Sequence, residues 1–139
     1  MEQTLQKIDA IVASGKIIAL ELRELFGYRC IGSMTFGGHS LLELQVKQLK
    51  ANPLIEHITI ILPQSEIELK RDLNKQFPGL DFIRVNPSEN LRDILIGLKI
   101  IRNYKSDRIV LYHGDVYVDH SSVSKLIQQK KNSCVVANF

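Results

Sequence analysis

The 139 residues carry a formal charge of +3, with 24% charged and 45% apolar side chains, a balance too apolar for a disordered chain and suited to one buried core. Basic residues alternate with acids, as in "SEIELKRD", so they form no stripe for nucleic acid. No segment approaches the ~20 apolar residues of a membrane span, and "MEQTLQKIDAIVASGK" has no basic leader followed by a long apolar run, which gives the expectation of a soluble cytoplasmic protein.

Taken in chain order, short apolar runs alternate with segments of helical period. "IDAIVA" (Ile8 to Ala13) reads as a buried strand running into the loop "SGK". "ALELRELFG" is helical in spacing and closes on Gly27. "HSLLELQVKQLKAN" sets Leu41, Leu42, Leu44, Val46 and Leu49 at helical spacing, and Ser40 with Glu43 has the pattern of a capping box. A second strand, "HITIIL" (His57 to Leu62), precedes "SEIELKRDLNKQF", where Ser65 and Glu68 repeat the capping pattern and Pro78-Gly79 ends the helix. "LDFIRV" (Leu80 to Val85) is the third strand, and "SENLRDILIGLKIIRNY" a helix starting from Ser88. "RIVLYH" (Arg108 to His113) is the fourth strand, "SSVSKLIQQKKN" a short helix with Lys125, Lys130 and Lys131 on its solvated face, and "SCVVANF" (Ser133 to Phe139) the fifth strand.

That alternation is the signature of β-α-β units, so one domain over residues 1–139 is expected: a three-layer α/β/α sandwich with a mainly parallel sheet of about five strands. In such a sheet ligands collect beyond the strand C-termini. The loops "SGK", "PQSE", "NPSEN" and "HGDVYVDH" are therefore the places for chemistry. Cys30 and Cys134 lack C-x-x-C spacing and read as small buried residues in a reducing compartment. His113, Asp115, Asp119 and His120 have ligand types suited to a transition metal. Asp119 and His120 equally suit the polar approach to a helix near Ser121, and Asp115 alone suits a turn at a strand end. His39 and His57 have no Ser or Cys arranged with them for nucleophilic catalysis.

"IDAIVASGK", "ELRELFG", "FGGHSLLELQVKQLK" and "RIVLYHGD" resemble, in order, landmarks of the nucleotidyltransferase superfamily with the GT-A-type fold, a Rossmannoid. The landmarks are a first strand entering an A-[AG]-G-[KR] loop, a G-G-[KR]-P-[ML]-[LI]-E segment opening a helix, and an apolar strand ending in G-D. The resemblance implies binding of a nucleoside triphosphate with Mg²⁺ and transfer of the nucleotidyl group to a sugar phosphate or similar phosphorylated alcohol, releasing pyrophosphate. It assigns Ala13, Ser14, Gly15 and Lys16 to the phosphate loop, Ser88 to the base or ribose, Gly114 to the nucleotide site and Asp115 to the metal. Catalytic side chains are left unassigned.

The sequence departs from that pattern where its charges should stand. "SGKIIALELR" replaces the family's G-x-G-[ST]-R, with Arg23 further along; Ile31 occupies a basic position, with Arg29 two residues off; His39 and Ser40 replace the basic residue and proline of G-G-[KR]-P. Each missing charge-assisted contact is worth roughly 1.5–3 kcal/mol. A second reading follows, a catalytically degenerate relative acting as a regulatory or assembly subunit. A third, a flavodoxin-type or receiver-like module, would need acids near the first strand's end, where "IVASGK" has none. Complete family members carry a further half with the acceptor pocket, so the resemblance implies the nucleotide-binding half. It also implies a homo-dimer or partner subunit covering the C-terminal region at Val135, Val136 and Phe139.

Overall fold

The apolar runs become strands, and residues 8–12 and 58–63 bury every successive side chain, as a sheet covered on both sides requires. In Arg108–His113, by contrast, Ile109 and Leu111 are exposed and burial alternates, which corrects the expectation of a fully buried strand there. The computed structural model describes residues 7–15, 18–27, 30–86, 108–114 and 116–129. Within them β1 (Ile8–Ala13), β4 (Ile55–Pro63), β5 (Asp81–Val85) and β6 (Arg108–His113) form one parallel sheet in the order β5-β4-β1-β6. β1 lies between β4 and β6, with Ala13 opposite Ile61 on one side and His113 on the other. Its central place explains why Ile8, Ala10, Ile11 and Val12 are all fully buried.

Side chains alternate across the strands. Ile8, Ala10, Val12, Ile58, Ile60, Leu62, Val110 and Tyr112 belong to the main core, which also takes Leu42, Val46 and Leu49 from α2 (Leu41–Lys50), Leu73 from α3 (Ile67–Gln76), and Val123 and Ile127 from α4 (His120–Gln128). Ile11, Ile61 and Val85 form a second cluster on the other face. Asp9 points to that face as well, 1% exposed, and neither of its carboxylate oxygens has a hydrogen-bond partner among the described residues.

Local chemistry sets the helix ends. Ser40 Oγ accepts from the Glu43 amide at 3.1 Å, as the capping pattern expects. The Glu43 carboxylate pairs with His39 Nδ1 at 2.8 Å and accepts from Gln76 Nε2 at 2.6 Å, and these contacts, the Gln76 bond first and the Ser40 backbone last, hold its pKa below the usual range. The second capping expectation is corrected: α3 starts at Ile67 with Glu66 at its N-cap, so Ser65 stands one residue too early. Helix α1 (Leu20–Phe26) closes on Gly27 at φ 74°, as read from the sequence. Asp119 caps α4, accepting from the Ser122 amide at 3.1 Å and from the hydroxyls of Ser121 and Ser122 at 2.5 and 2.6 Å, which lowers its pKa to about 2.

Two further differences concern strands. β4 extends beyond His57–Leu62 at both ends. "TFGGHS" forms a hairpin of β2 (Thr35–Phe36) and β3 (His39–Ser40), in which Gly37 and Gly38 both take positive φ, at 60° and 85°, as a two-residue primed turn requires. The fifth expected strand with Cys134, the helix expected from Ser88, and Lys130 and Lys131 lie outside the described residues, as does the expected C-terminal interface. Cys30 is fully buried and free, and burial, with Glu66 adding to it, pushes its thiol pKa up. Among the described residues no helix is long and apolar enough to cross a membrane.

Candidate functional site

The strand order fixes where a ligand crevice opens. The chain runs from β1 outward through β4 to β5, then returns to place β6 on β1's other side, so the topological switch point lies between the C-terminal ends of β1 and β6. Ala13 and His113 end those strands side by side.

Beyond them the two loops touch. The Gly114 amide donates to Ala13 O at 2.9 Å, and the Ser14 amide donates to Ile61 O at 3.0 Å, so the β1 loop is held from both neighbours. A Cβ on Gly114 would fall 2.4 Å from Ala13 O and 2.7 Å from Ser14 Cα, closer than real Cβ atoms come. Only glycine fits there. From the other side a short 3-10 turn, Ile31–Ser33, brings Gly32 so close that a Cβ on it would lie 2.5 Å from Ser14 Oγ. Ser14 and Gly15 are buried in this junction and Ala13 is half-buried.

The structure thus brings Ala13, Ser14, Gly15 and Gly114 of the sequence-derived site together. Lys16, Ser88 and Asp115 lie outside the described residues. The alternative transition-metal cluster gains nothing: Asp119 is occupied by its cap, His113 is exposed, and among the described residues no group of three or more His, Cys, Asp or Glu could hold a metal ion. Where the resemblance implies a basic residue, His39 is bound to Glu43, and Arg23, in α1, has a buried Nε with no partner among the described residues.

Sequence reasoning passed over two glutamines. Gln45 and Gln48 are buried on the apolar stripe of α2 and donate to the segment after β6: Gln45 Nε2 to His113 O and Val116 O at 3.1 and 2.6 Å, Gln48 Nε2 to Val118 O at 2.6 Å. Tyr112, buried in β6, completes the set, its hydroxyl donating to Gln48 Oε1 at 2.7 Å and accepting from the Val118 amide at 2.9 Å. The available signal was a polar residue three after Leu42 and four before Leu49, inside a stripe otherwise apolar.

No family model matches the chain, and no curated protein matches it. Solved structures do. A 4-diphosphocytidyl-2C-methyl-D-erythritol synthase aligns with a TM-score of 0.70 at 9% identity over 91% of this chain and 55% of its own. A nucleotidyl transferase from a Methanothermobacter species gives 0.69 at 16% identity over 88% of this chain and 57% of its own. The 4-diphosphocytidyl-2C-methyl-D-erythritol synthase of Anaerococcus prevotii gives 0.62 at 14% identity over 96% and 60%. The chain spans a little over half the length of these proteins, and over that length it has the parallel α/β fold of the nucleotidyltransferases.

Proposed function

We propose that the chain binds a nucleoside triphosphate with Mg²⁺ at the junction of the β1 and β6 loops. It would transfer the nucleotidyl group to a sugar phosphate or similar phosphorylated alcohol. One observation carries the reading: Gly114 lies flush on Ala13 and Ser14 at the switch point, where a Cβ cannot fit. The fold shared with nucleotidyltransferases supports it.

In this reading the loop that begins at Ala13 and Ser14 and runs through Gly15 lies along the phosphates, the Ser14 amide being already given to Ile61 O, with Lys16 adding charge, and Ser88 meets the base or ribose. Asp115 would hold the Mg²⁺. The donor set fits, because Mg²⁺ is commonly held by one or two carboxylates together with substrate phosphates, and Gly114 ties its segment to the phosphate loop by the 2.9 Å bond. When bound, the ion would neutralise charge as an acceptor oxygen attacks the α-phosphorus and pyrophosphate leaves. The protein's own contribution is to fix two loops against each other and so orient the triphosphate.

The second reading, a degenerate relative in a regulatory or assembly role, is favoured by His39, which stands at a basic position of the pattern yet is bound to Glu43. A thermal-shift screen of nucleoside triphosphates with and without Mg²⁺ tests the choice. A Mg²⁺-dependent rise of several degrees is expected, lost in Asp115→Asn while the apo melting temperature stays nearly unchanged, since one loop carboxylate adds little to the core. A flat screen would leave the regulatory reading. Equal affinity in mutant and parent would remove Asp115 from the site.

A further inference from the structure

We infer that Gln45, with Gln48 and Tyr112 behind it, is a positioning residue that sets the geometry of the turn after β6 against the phosphate loop. The inference rests on the nucleotide-binding reading for its functional half only. Gln45 is fully buried, yet it is spent neither on helix structure nor on a neighbouring side chain. Both its donors go to carbonyls that bracket the Gly114-Asp115 pair, His113 O on one side and Val116 O on the other. Two acceptors also fix the amide's orientation, because a flip would face its oxygen with two carbonyl oxygens.

The cost of this arrangement shows that it is not filler. Gln45 Oε1 is itself buried with no partner among the described residues. An apolar residue at this stripe position would bury no orphan acceptor, but it would take the donor from Val116 O and leave His113 O with the long 3.5 Å bond from the Val116 amide. One turn further along α2, Gln48, Val118 and Tyr112 close a ring of three hydrogen bonds at 2.6, 2.7 and 2.9 Å. Backbone groups of residues 113, 116 and 118 are thereby tied to α2 and β6, while the side chains of Val116 and Tyr117 remain exposed, at 43% and 55%. These bonds hold residues 113, 116 and 118 beside the place where Gly114 meets Ala13 and Ser14. Sites supported in this way lose function when the supporting shell is loosened by a fraction of an ångström.

Amide hydrogen exchange on the full chain, paired with titration of Mg·CTP and Mg·ATP, tests this. Gln45→Met keeps the volume and removes both donors. It is expected to speed exchange at Gly114 and Val118 roughly tenfold while Ile11 and Ile60 stay unchanged, and to weaken nucleotide binding about tenfold. Tyr112→Phe deletes the hydroxyl that accepts from the Val118 amide and so frees that amide directly; its test is Gly114, whose exchange should quicken as well, and it carries the test should Gln45→Met fail to fold. Unchanged exchange at Gly114 and Val118, or acceleration spread evenly over β1 and β4, would overturn the positioning role. So would local loosening with undiminished nucleotide affinity. If the parent binds neither nucleotide yet the turn loosens locally, the positioning of the turn stands and the nucleotide reading fails.

Discussion

Gly114→Ala is expected to lower the melting temperature by about 5–10 °C and to abolish Mg²⁺-dependent nucleotide binding. The added methyl would sit 2.4 Å from Ala13 O and 2.7 Å from Ser14 Cα, and both atoms are backbone. Neither can rotate away. β1 is hydrogen-bonded on both sides, so relief requires moving the central strand or opening the Gly114–Ala13 bond. Forcing atoms into a packed site costs about 1–3 kcal/mol and occasionally more, and in a domain of this size each kcal/mol is worth roughly 3–5 °C. Gly32→Ala is the internal comparison. Its nearest clash, at 2.5 Å, is with the Ser14 hydroxyl, a side-chain atom that can change rotamer. Scanning calorimetry should therefore rank Gly114→Ala well below Gly32→Ala, and equal melting temperatures would mean that the β1 and β6 loops do not touch as described.

Asp9→Val is expected to do the opposite and raise the melting temperature by about 3–9 °C. A carboxylate 1% exposed, with neither oxygen partnered among the described residues, has given up its hydration for nothing shown in return. An unsatisfied buried polar group costs about 1–3 kcal/mol, more when charged. Valine is close in size, favours strands, and faces the side where Ile11 and Ile61 are already buried. Asp9→Asn should gain less, because an amide at this position still buries unpaired polar atoms. Asp9 is the second residue of β1 while Ala13 ends it, so the gain should leave nucleotide affinity unaltered. A melting temperature below the parent's would show that the carboxylate is engaged in a bond that stabilises the fold.

The two substitutions also mark what the sequence made legible. Runs such as "IDAIVA" and "RIVLYH" announce strands through their apolar residues, though only the first is buried throughout, since Ile109 and Leu111 of the second are exposed, and Ser40 announces a helix start through a bond only three residues long. Gly114 is singled out only through the resemblance of "RIVLYHGD" to a strand ending in G-D; its close contact with Ala13 and Ser14 is a property of the fold. Gln45 could not, since its acceptors are 68 and 71 residues away, and a polar residue in an apolar stripe does not reveal its partner. The contact of Gly32 with Ser14 was hidden for the same reason. Ser65 misled because Glu66 and Ser65 both suit the approach to α3, and the backbone chose the later start. Asp9 runs against the rule that strand interiors exclude charge, and nothing local betrays that it is buried with no partner among the described residues.

The central claim is that the β1 and β6 loops form one nucleotide site, and it is tested most directly by mapping amide chemical shifts during titration with a nucleoside triphosphate and Mg²⁺. Saturable shifts are expected at Ser14, Gly15, Gly32 and Gly114, weaker without the ion, with the opposite strand ends at Lys7, Ile55 and Arg108 left in place. No shifts up to millimolar nucleotide, or shifts centred on Lys7, Ile55 and Arg108, would contradict it.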